Sequence, residues 1–143
     1  VAATKAALAE GIVAGGGVTL VNLAGGLKVT GADSIAAGRQ ILKDALKQPF
    51  LQIMRNAGLN ADALLAQVEA GKAGFGVNVM KPESELVDVK KAGVIDPARV
   101  TKEAVQNAVS IASTAATMGA LVVDVPEPEA PAAPGGMPGM GMM

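Results

Sequence analysis

The dipeptide Asp96-Pro97 and the periodic stretch after it constrain the fold most, because together they predict one long helix. An aspartate before a helix can accept hydrogen bonds from the first free amides of the helix. A proline fits the first helical position, because the amide that it lacks would have no hydrogen-bond partner within the helix. Small or apolar residues then recur on one face, at Val100, Ala104, Ala108, Ile111, Ala115 and Met118. We therefore predict a helix from Pro97 to about Ala120, with Asp96 as its N-cap.

Further helices are predicted from local start and stop signals. Val1–Glu10 is alanine-rich and is followed by Gly11, a plausible helix end. Asp33 or Ser34 begins a helical pattern that Pro49 should break, with Pro49 near the first turn of a second helix. Asn60 is the predicted cap of a helix at Ala61–Ala70. Val18–Leu23 is an apolar stretch that fits either a short helix or a buried strand.

Two segments are predicted to be extended. Phe75, Val77 and Val79 alternate along a glycine-rich stretch, which indicates one strand of a hairpin whose turn is the polar segment 81–85. Leu121–Val125 is rich in β-branched residues and fits an edge strand, whose partner would lie in another chain or another part of the polypeptide. The chain is half hydrophobic but has only two aromatic residues, which favours closely packed helices over a sheet sandwich. We predict a mainly α fold with a small β-hairpin and an edge strand.

Composition excludes several classes of function. The sequence has no cysteine and no histidine, so the usual zinc sites, disulfides, thiol nucleophiles and histidine-based triads are excluded. The net charge is −1, and no basic stripe or stacking aromatics are present, so nucleic-acid binding is not expected. No apolar run approaches the roughly 20 residues needed to cross a bilayer, so no membrane association is expected either.

Four stretches, taken in order, resemble the group I chaperonins, the Hsp60-type protein-folding rings. They are Glu10–Leu20, Gly74–Asn78, Ala92–Ala104 and the glycine- and methionine-rich end of the chain. The resemblance covers nearly the whole chain but only about the last quarter of a family subunit. It implies three parts: residues 1–10 end a helix of the intermediate domain, residues 11–125 form the C-terminal part of the equatorial ATP-binding domain, and residues 126–143 form a tail. The tail is rich in proline and lacks a periodic apolar face, so we expect it to be disordered.

The resemblance also implies an activity and its partners. Family subunits form a homo-oligomer of two stacked seven-membered rings and use ATP to enclose unfolded polypeptides and promote their folding. Unfolded polypeptides and the co-chaperonin bind the apical domain, which lies outside this stretch. The family tail reaches into the ring cavity and touches captured chains; alternatively, this tail has little energetic role. The expected compartment is the bacterial cytoplasm, with an organelle matrix as the alternative.

The nucleotide-site residues implied by the resemblance are Gly16, Asn78, Val79, Met80 and Asp96. Gly16 would let the backbone approach the nucleotide, whereas the spacing of the triple glycine alone favours a tight turn between helices. Asn78 would meet the base edge, or it would simply hold a hairpin turn. Val79 and Met80 stand where many relatives have small residues, so their contacts are less well supported. Asp96 would accept a hydrogen bond from a ribose hydroxyl, or it would serve as the helix cap.

No catalytic residue is expected within this stretch. The family's catalytic carboxylate falls just before Val1, and its phosphate loop and Mg²⁺-binding aspartate belong to the N-terminal half. These groups supply most of the stabilisation of phosphoryl transfer. We therefore expect the 143-residue chain to have no ATPase activity by itself. A self-association module without a nucleotide role is the alternative from a different class.

Overall fold

Six helices and four short strands form the described part of the chain, which is residues 1–81 and 85–124 of the computed structural model. The helices are α1 (Ala2–Glu10), α2 (Val18–Gly26), α3 (Ser34–Ala45), α4 (Gln48–Asn56), α5 (Ala61–Ala70) and α6 (Ala98–Thr117). The strands are β1 (Ile12–Ala14), β2 (Phe75–Gly76), β3 (Val87–Asp88) and β4 (Ile95–Pro97). The mainly α prediction is confirmed. The tail predicted to be disordered and the centre of the 81–85 turn lie outside the described residues.

Local signals predicted most helix boundaries correctly. The Asp33 carboxylate accepts from the Ala36 amide at 2.8 Å and caps α3, and the Asn60 side chain accepts from the Ala63 amide at 3.2 Å and caps α5. Gly11 ends α1 with a positive φ of 82°, which favours glycine. Pro49 lies in the first turn of α4, where its missing amide has no intrahelical partner to lose.

The apolar stretch after the triple glycine is a helix. Val18, Val21 and Ala24 of α2 are all buried, with exposures of 1%, 1% and 0%. This spacing of three residues brings them to one helical face, whereas alternate residues would face the core in a strand. The Thr19 hydroxyl donates to the Ala14 carbonyl at 2.7 Å and fixes the start of the helix against β1.

The strands form two antiparallel pairs that join distant parts of the sequence. β1 pairs with β4, with Ile12 opposite Pro97 and Ala14 opposite Ile95. β2 pairs with β3, with Phe75 opposite Asp88, so a hairpin forms as predicted. Its first strand stops at Gly76, however, and does not include Val77 and Val79 as predicted. A turn after β3 then carries the chain into β4, since the Val94 amide donates to the Val89 carbonyl at 2.8 Å. The two pairs are thereby held next to each other.

The predicted cap of the last helix was wrong. α6 begins at Ala98 and ends at Thr117, and Pro97 occupies the N-cap position without a side-chain hydrogen bond. Asp96 instead lies in β4 opposite Val13. The amide of Ala98 donates to the Gly11 carbonyl at 3.1 Å. A backbone oxygen at the end of α1 therefore accepts from the first amide of α6, in place of the predicted Asp96 carboxylate.

The edge strand predicted at Leu121–Val125 is not formed over its described residues, 121–124. Leu121, Val122 and Val123 are 75%, 92% and 69% exposed. A strand needs a neighbour to satisfy its backbone amides and carbonyls, and no described strand runs beside this segment.

The core lies between α2, α4, α5 and the turn that follows β3. Its most deeply buried side chains are Phe50, Met54, Val18, Val21, Val68 and Val89. α1 and α6 contribute no buried residue and lie outside this core. Two apolar grooves, of about 620 and 680 Å³, therefore run between α6 and the α2–α3 pair.

Candidate functional site

The turn Gly15-Gly16-Gly17 joins β1 to α2 and comes close to two neighbouring segments. A Cβ on Gly15 would lie 3.0 Å from the Ile95 amide nitrogen, and one on Gly17 would lie 2.8 Å from the Phe50 Cα. Gly16 differs, because its Cβ would meet only the Val94 side chain at 3.6 Å. The outer glycines are thus required by packing, whereas the backbone of Gly16 has open space on one side.

Asp96 is exposed and carries its carboxylate on the neighbouring strand. The strand pairing places Asp96 opposite Val13, three residues before Gly16. Within the described ranges, no residue forms a hydrogen bond or an ion pair with this carboxylate. Its oxygens are therefore free to accept hydrogen bonds from a ligand hydroxyl.

The first strand pair places the segments that carry Gly16 and Asp96 side by side. The Gly15 amide donates to the Val94 carbonyl at 3.0 Å, which extends the contact between the two segments beyond the β1–β4 pairing. Val94 faces Gly16, and Asp96 follows two residues later on the same segment. The structure thus places an open backbone in the turn after β1 and a free carboxylate on the paired strand β4, although the two are about 80 residues apart in sequence.

Asn78 lies half-buried at the start of a tight turn beyond β2. Its side-chain oxygen accepts from the Met80 amide at 3.0 Å, and its carbonyl accepts from the Lys81 amide at 2.8 Å. The turn-holding role that we considered from the sequence is therefore present. Val79 and Met80 are 38% and 85% exposed, so both side chains reach solvent at this turn.

A close contact between glycine and valine anchors β2 near the glycine turn. A Cβ on Gly76 would collide with the Val18 side chain and lie 3.1 Å from the Val89 side chain. Val77 then packs against the core, so Asn78 follows directly from an anchored segment. No described hydrogen bond or ion pair joins 78–80 to Gly16 or Asp96. The described residues therefore link the two parts of the candidate site by neither a hydrogen bond nor an ion pair.

The model of the TCP-1/cpn60 chaperonin family matches residues 1–125. The chain belongs to this family. A curated relative, chaperonin GroEL 1 of Prochlorococcus marinus (strain MIT 9215), is 43% identical over 140 residues, which cover 96% of this chain and 23% of the relative. A crystal structure of a group III chaperonin in the open state is similar with a TM-score of 0.72 and 27% identity, covering 82% of this chain and 25% of that one.

These similarities confirm the resemblance that the sequence motifs indicated. The chaperonin chain spans about a quarter of the length of these two relatives. Its fold agrees with the expected helical part of a chaperonin subunit, because a solved chaperonin superposes over most of it.

Other features of the chaperonin chain lie apart from the candidate site. The Lys102 ammonium lies 2.6 Å from one Glu10 oxygen, and Arg99 lies 3.9 Å from the other, so ion pairs connect α1 to α6. Arg99 also donates to Glu103 at 2.7 Å, and this hydrogen bond and charge lower the pKa of the Glu103 carboxyl. Neither apolar groove is lined by any of the five candidate residues.

Searches for two further features gave negative results over the described ranges. No group of three or more histidine, cysteine, aspartate or glutamate side chains there could hold a metal ion. No helix within residues 1–81 and 85–124 is long and apolar enough to cross a membrane.

Sequence reasoning missed Gly76 and Val94 as residues that shape the site. Gly76 permits the approach of β2 to Val18, and Val94 contacts the glycine turn through both its carbonyl and its side chain. The only sequence signal was the glycine alternation around Phe75, which is typical of a strand that lies close to another segment.

Proposed function

We propose that this chain is the C-terminal part of an ATP-dependent chaperonin subunit and that it contributes the nucleoside side of the ATP site. The family membership supports the general function. The observation that supports the site is that the Cβ position of Gly16 lies beside the Val94 side chain, two residues before the free carboxylate of Asp96. An open backbone beside an unpaired carboxylate suits a sugar, whose hydroxyl groups donate hydrogen bonds.

The proposed roles follow the chemistry of each group. Gly16 lets the ribose and the first phosphate approach the backbone, and Asp96 accepts from a ribose hydroxyl. Asn78 lies beside the nucleobase of ATP. The exposed Val79 and Met80 side chains cover part of the apolar face of that base. ATP, when bound, supplies the free energy for the conformational cycle. The Mg²⁺ ion, the phosphate loop and the catalytic carboxylate would come from the N-terminal half.

Family membership also supports a proposal for the domains and the assembly of the whole subunit. Residues 1–10 would end the intermediate-domain helix, residues 11–125 would complete the equatorial domain, and residues 126–143 would form the tail. The subunits would assemble into two stacked seven-membered rings. A co-chaperonin and unfolded polypeptides would bind through the apical domain. The proposed compartment is the bacterial cytoplasm, in keeping with the bacterial GroEL relative.

The site is tested by nucleotide affinity in the full-length subunit. Gly16→Leu fills the open side of the turn, and Asp96→Asn removes the carboxylate charge. Each should weaken ATP binding by about tenfold or more: Gly16→Leu because the new side chain occupies the space of the ligand, and Asp96→Asn because a hydrogen bond to a charged group contributes about 1.5–3 kcal/mol. Asp33→Asn is the matched control, because asparagine still caps α3 and Asp33 lies outside the site. Unchanged affinity in both site variants, with the control also unchanged, would remove these residues from the site.

A separate experiment tests whether the ATP site is divided between this chain and the N-terminal half of the subunit. The 143-residue chain alone should show no ATP hydrolysis above a buffer control, whereas the full-length subunit should turn over ATP. Steady hydrolysis by the short chain would show that it contains the catalytic groups, contrary to the proposal.

Self-association is a second candidate function for the chain on its own, and the exposed apolar grooves favour it. Neither α1 nor α6 buries a residue, and Ile41 on the groove wall is 71% exposed. Large exposed apolar surfaces promote association. Sedimentation of the 143-residue chain should then depend on concentration, and Ile41→Glu should shift it towards monomer. A monomer at all concentrations would contradict this candidate.

A further inference from the structure

The outer edge of β1 carries a buried backbone oxygen, the carbonyl of Ala14. β1 pairs with β4 on one side, and no described strand lies beside its other edge. The Gly15 amide donates to Val94, and the Ala98 amide donates to Gly11. Every second residue from Gly11 to Gly15 therefore directs its hydrogen-bonding groups towards β4, and the Ala14 carbonyl points away from it. Because Ala14 is only 6% exposed, this oxygen needs a partner within the protein.

The Thr19 hydroxyl is the partner of this oxygen, at 2.7 Å. A threonine in a helix commonly donates to the carbonyl three or four residues before it. Thr19 instead reaches five residues back, to an oxygen that lies before the glycine turn and outside α2. Its hydrogen bond therefore joins the two ends of the Gly15-Gly16-Gly17 turn, from the end of β1 to the first turn of α2.

The position of Gly16 depends on its neighbours in this turn. No residue of the described ranges forms a hydrogen bond with the amide or the carbonyl of Gly16. On one side, Gly15 is bonded to Val94, and on the other side Gly17 packs on the core. The Thr19 hydroxyl connects these two anchored ends through a side-chain bond that spans the turn.

We propose that Thr19 is a positioning residue of the ATP site: by holding the Ala14 carbonyl, its hydroxyl fixes the glycine turn and thereby the place where the Gly16 backbone meets the nucleotide. This inference rests on the proposed function and deepens it, since Thr19 acts through Gly16 and does not touch the ligand. Without the hydroxyl, the two ends of the turn can separate, and binding ATP must then restore the closed turn. Ordering a loop on binding lowers affinity.

Two variants test the hydroxyl in the full-length subunit. Thr19→Val removes the hydroxyl at nearly the same volume, and Thr19→Ser keeps it. We expect Thr19→Val to raise the Kd for ATP about threefold to fivefold, as for the loss of one hydrogen bond. The kcat for ATP hydrolysis at saturating ATP should stay unchanged, because bound ATP meets the same groups. Thr19→Ser should bind ATP as the parent does.

Hydrogen–deuterium exchange of the ligand-free subunit gives a second readout. The peptide that contains the glycine turn should exchange faster in Thr19→Val than in the parent, and Thr19→Ser should restore the slower exchange. Should Thr19→Val fail to assemble, Thr19→Ala makes the same comparison, because it also lacks the hydroxyl and alanine favours the helix.

Two controls separate positioning from a general effect on the protein. Thr114→Val removes a threonine hydroxyl that donates to the Ser110 carbonyl at 3.1 Å within α6. Asp33→Ala removes the cap of α3 and is expected to lower stability. Both residues lie outside the candidate site, so both variants should keep the parent's Kd for ATP.

The outcomes distinguish this inference from the proposed function. If Thr19→Val or Thr19→Ala binds ATP as tightly as the parent while Gly16→Leu binds it more weakly, the positioning role is wrong and the site stands. An equal loss of affinity in Thr19→Val and Thr19→Ser, or in Asp33→Ala, also contradicts the role of the hydroxyl. If Gly16→Leu and Asp96→Asn both leave ATP affinity unchanged, the proposed site fails and this inference fails with it.

Discussion

Gly17 and Phe50 approach each other so closely that a Cβ on Gly17 would lie 2.8 Å from the Phe50 Cα. Gly17 has φ of 78° and occupies the N-cap position of α2, while Phe50 belongs to the first turns of α4 and is fully buried. The backbone of the glycine turn is therefore packed directly on the core. This contact fixes the turn next to Gly16, whose own Cβ position lies 3.6 Å from the Val94 side chain.

Neighbouring glycines in this turn should respond differently to alanine. Gly17→Ala should lower the free energy of unfolding by about 3 kcal/mol, because left-handed strain adds to a collision with backbone atoms that cannot move aside. Gly16→Ala should cost about 1 kcal/mol, from left-handed strain alone, since its Cβ would stand 3.6 Å from the nearest side chain. Urea denaturation of the variant and parent proteins measures both values. Equal losses at the two positions would contradict this account of the turn.

The contact between Gly76 and Val18 should appear as an energetic coupling. Gly76→Ala should destabilise the protein by about 2 kcal/mol, because the new methyl group collides with the buried Val18 side chain. Combining it with Val18→Ala should cost less than the sum of the two single changes, by about 1 kcal/mol.

Gly25→Ala is the control for the comparison of the Gly76 and Val18 variants, because Gly25 lies in α2 with nothing within 4 Å of its Cβ position. It should leave stability unchanged or raise it by about 0.5–1 kcal/mol, as alanine is the better helix former. Strictly additive losses at Gly76 and Val18 would show that the two residues do not meet.

Two aspartates that both precede helices should differ in their effect on stability. Asp33→Ala should cost about 1 kcal/mol, because Asp33 accepts from the Ala36 amide at the start of α3. Asp96→Ala should change stability by less than about 0.5 kcal/mol, since Asp96 is exposed in β4 and caps nothing. Thermal or urea unfolding compares the two variants. If Asp96→Ala lowered the free energy of unfolding as much as Asp33→Ala does, the capping role predicted for Asp96 from the sequence would be supported.

The ion pair between Arg99 and Glu103 should be visible in the acid titration of the protein. The hydrogen bond and charge of Arg99 hold the pKa of Glu103 below its ordinary value of 4.5. A lowered folded pKa means that the contribution to stability is present above the unfolded value and is lost as the pH falls through the folded one. Carboxyl NMR should show Glu103 titrating below 4.5 in the parent and closer to it in Arg99→Gln.

Both groups of this pair are exposed, so we expect the change in overall stability to be small and reduced by salt. A Glu103 titration that is the same with and without Arg99 would show that the pair does not form in solution.

Local sequence signals predicted the helices well, because each boundary depends on a few adjacent residues. Asp33 and Asn60 cap their helices through bonds that span three residues, and Gly11 and Pro49 act through their own backbone. The family resemblance followed from motifs that can be read in order along the chain, and the comparisons confirm it. The candidate residues came from the same motifs, and their role in binding stays a prediction.

The amino-acid sequence by itself determined the mainly helical character, the hairpin and the family, since propensity, periodicity and motifs are local properties. Only the tertiary structure decided the local contacts of Asp96 and Asn78. Asp96 precedes a helix in sequence, yet a carbonyl from Gly11 supplies the bond that a cap would make and leaves the carboxylate free. The Asn78 side-chain oxygen likewise accepts from the Met80 amide in a turn that follows the contact of Gly76 with Val18. Such contacts join residues that are far apart in the chain, and a linear pattern does not contain them.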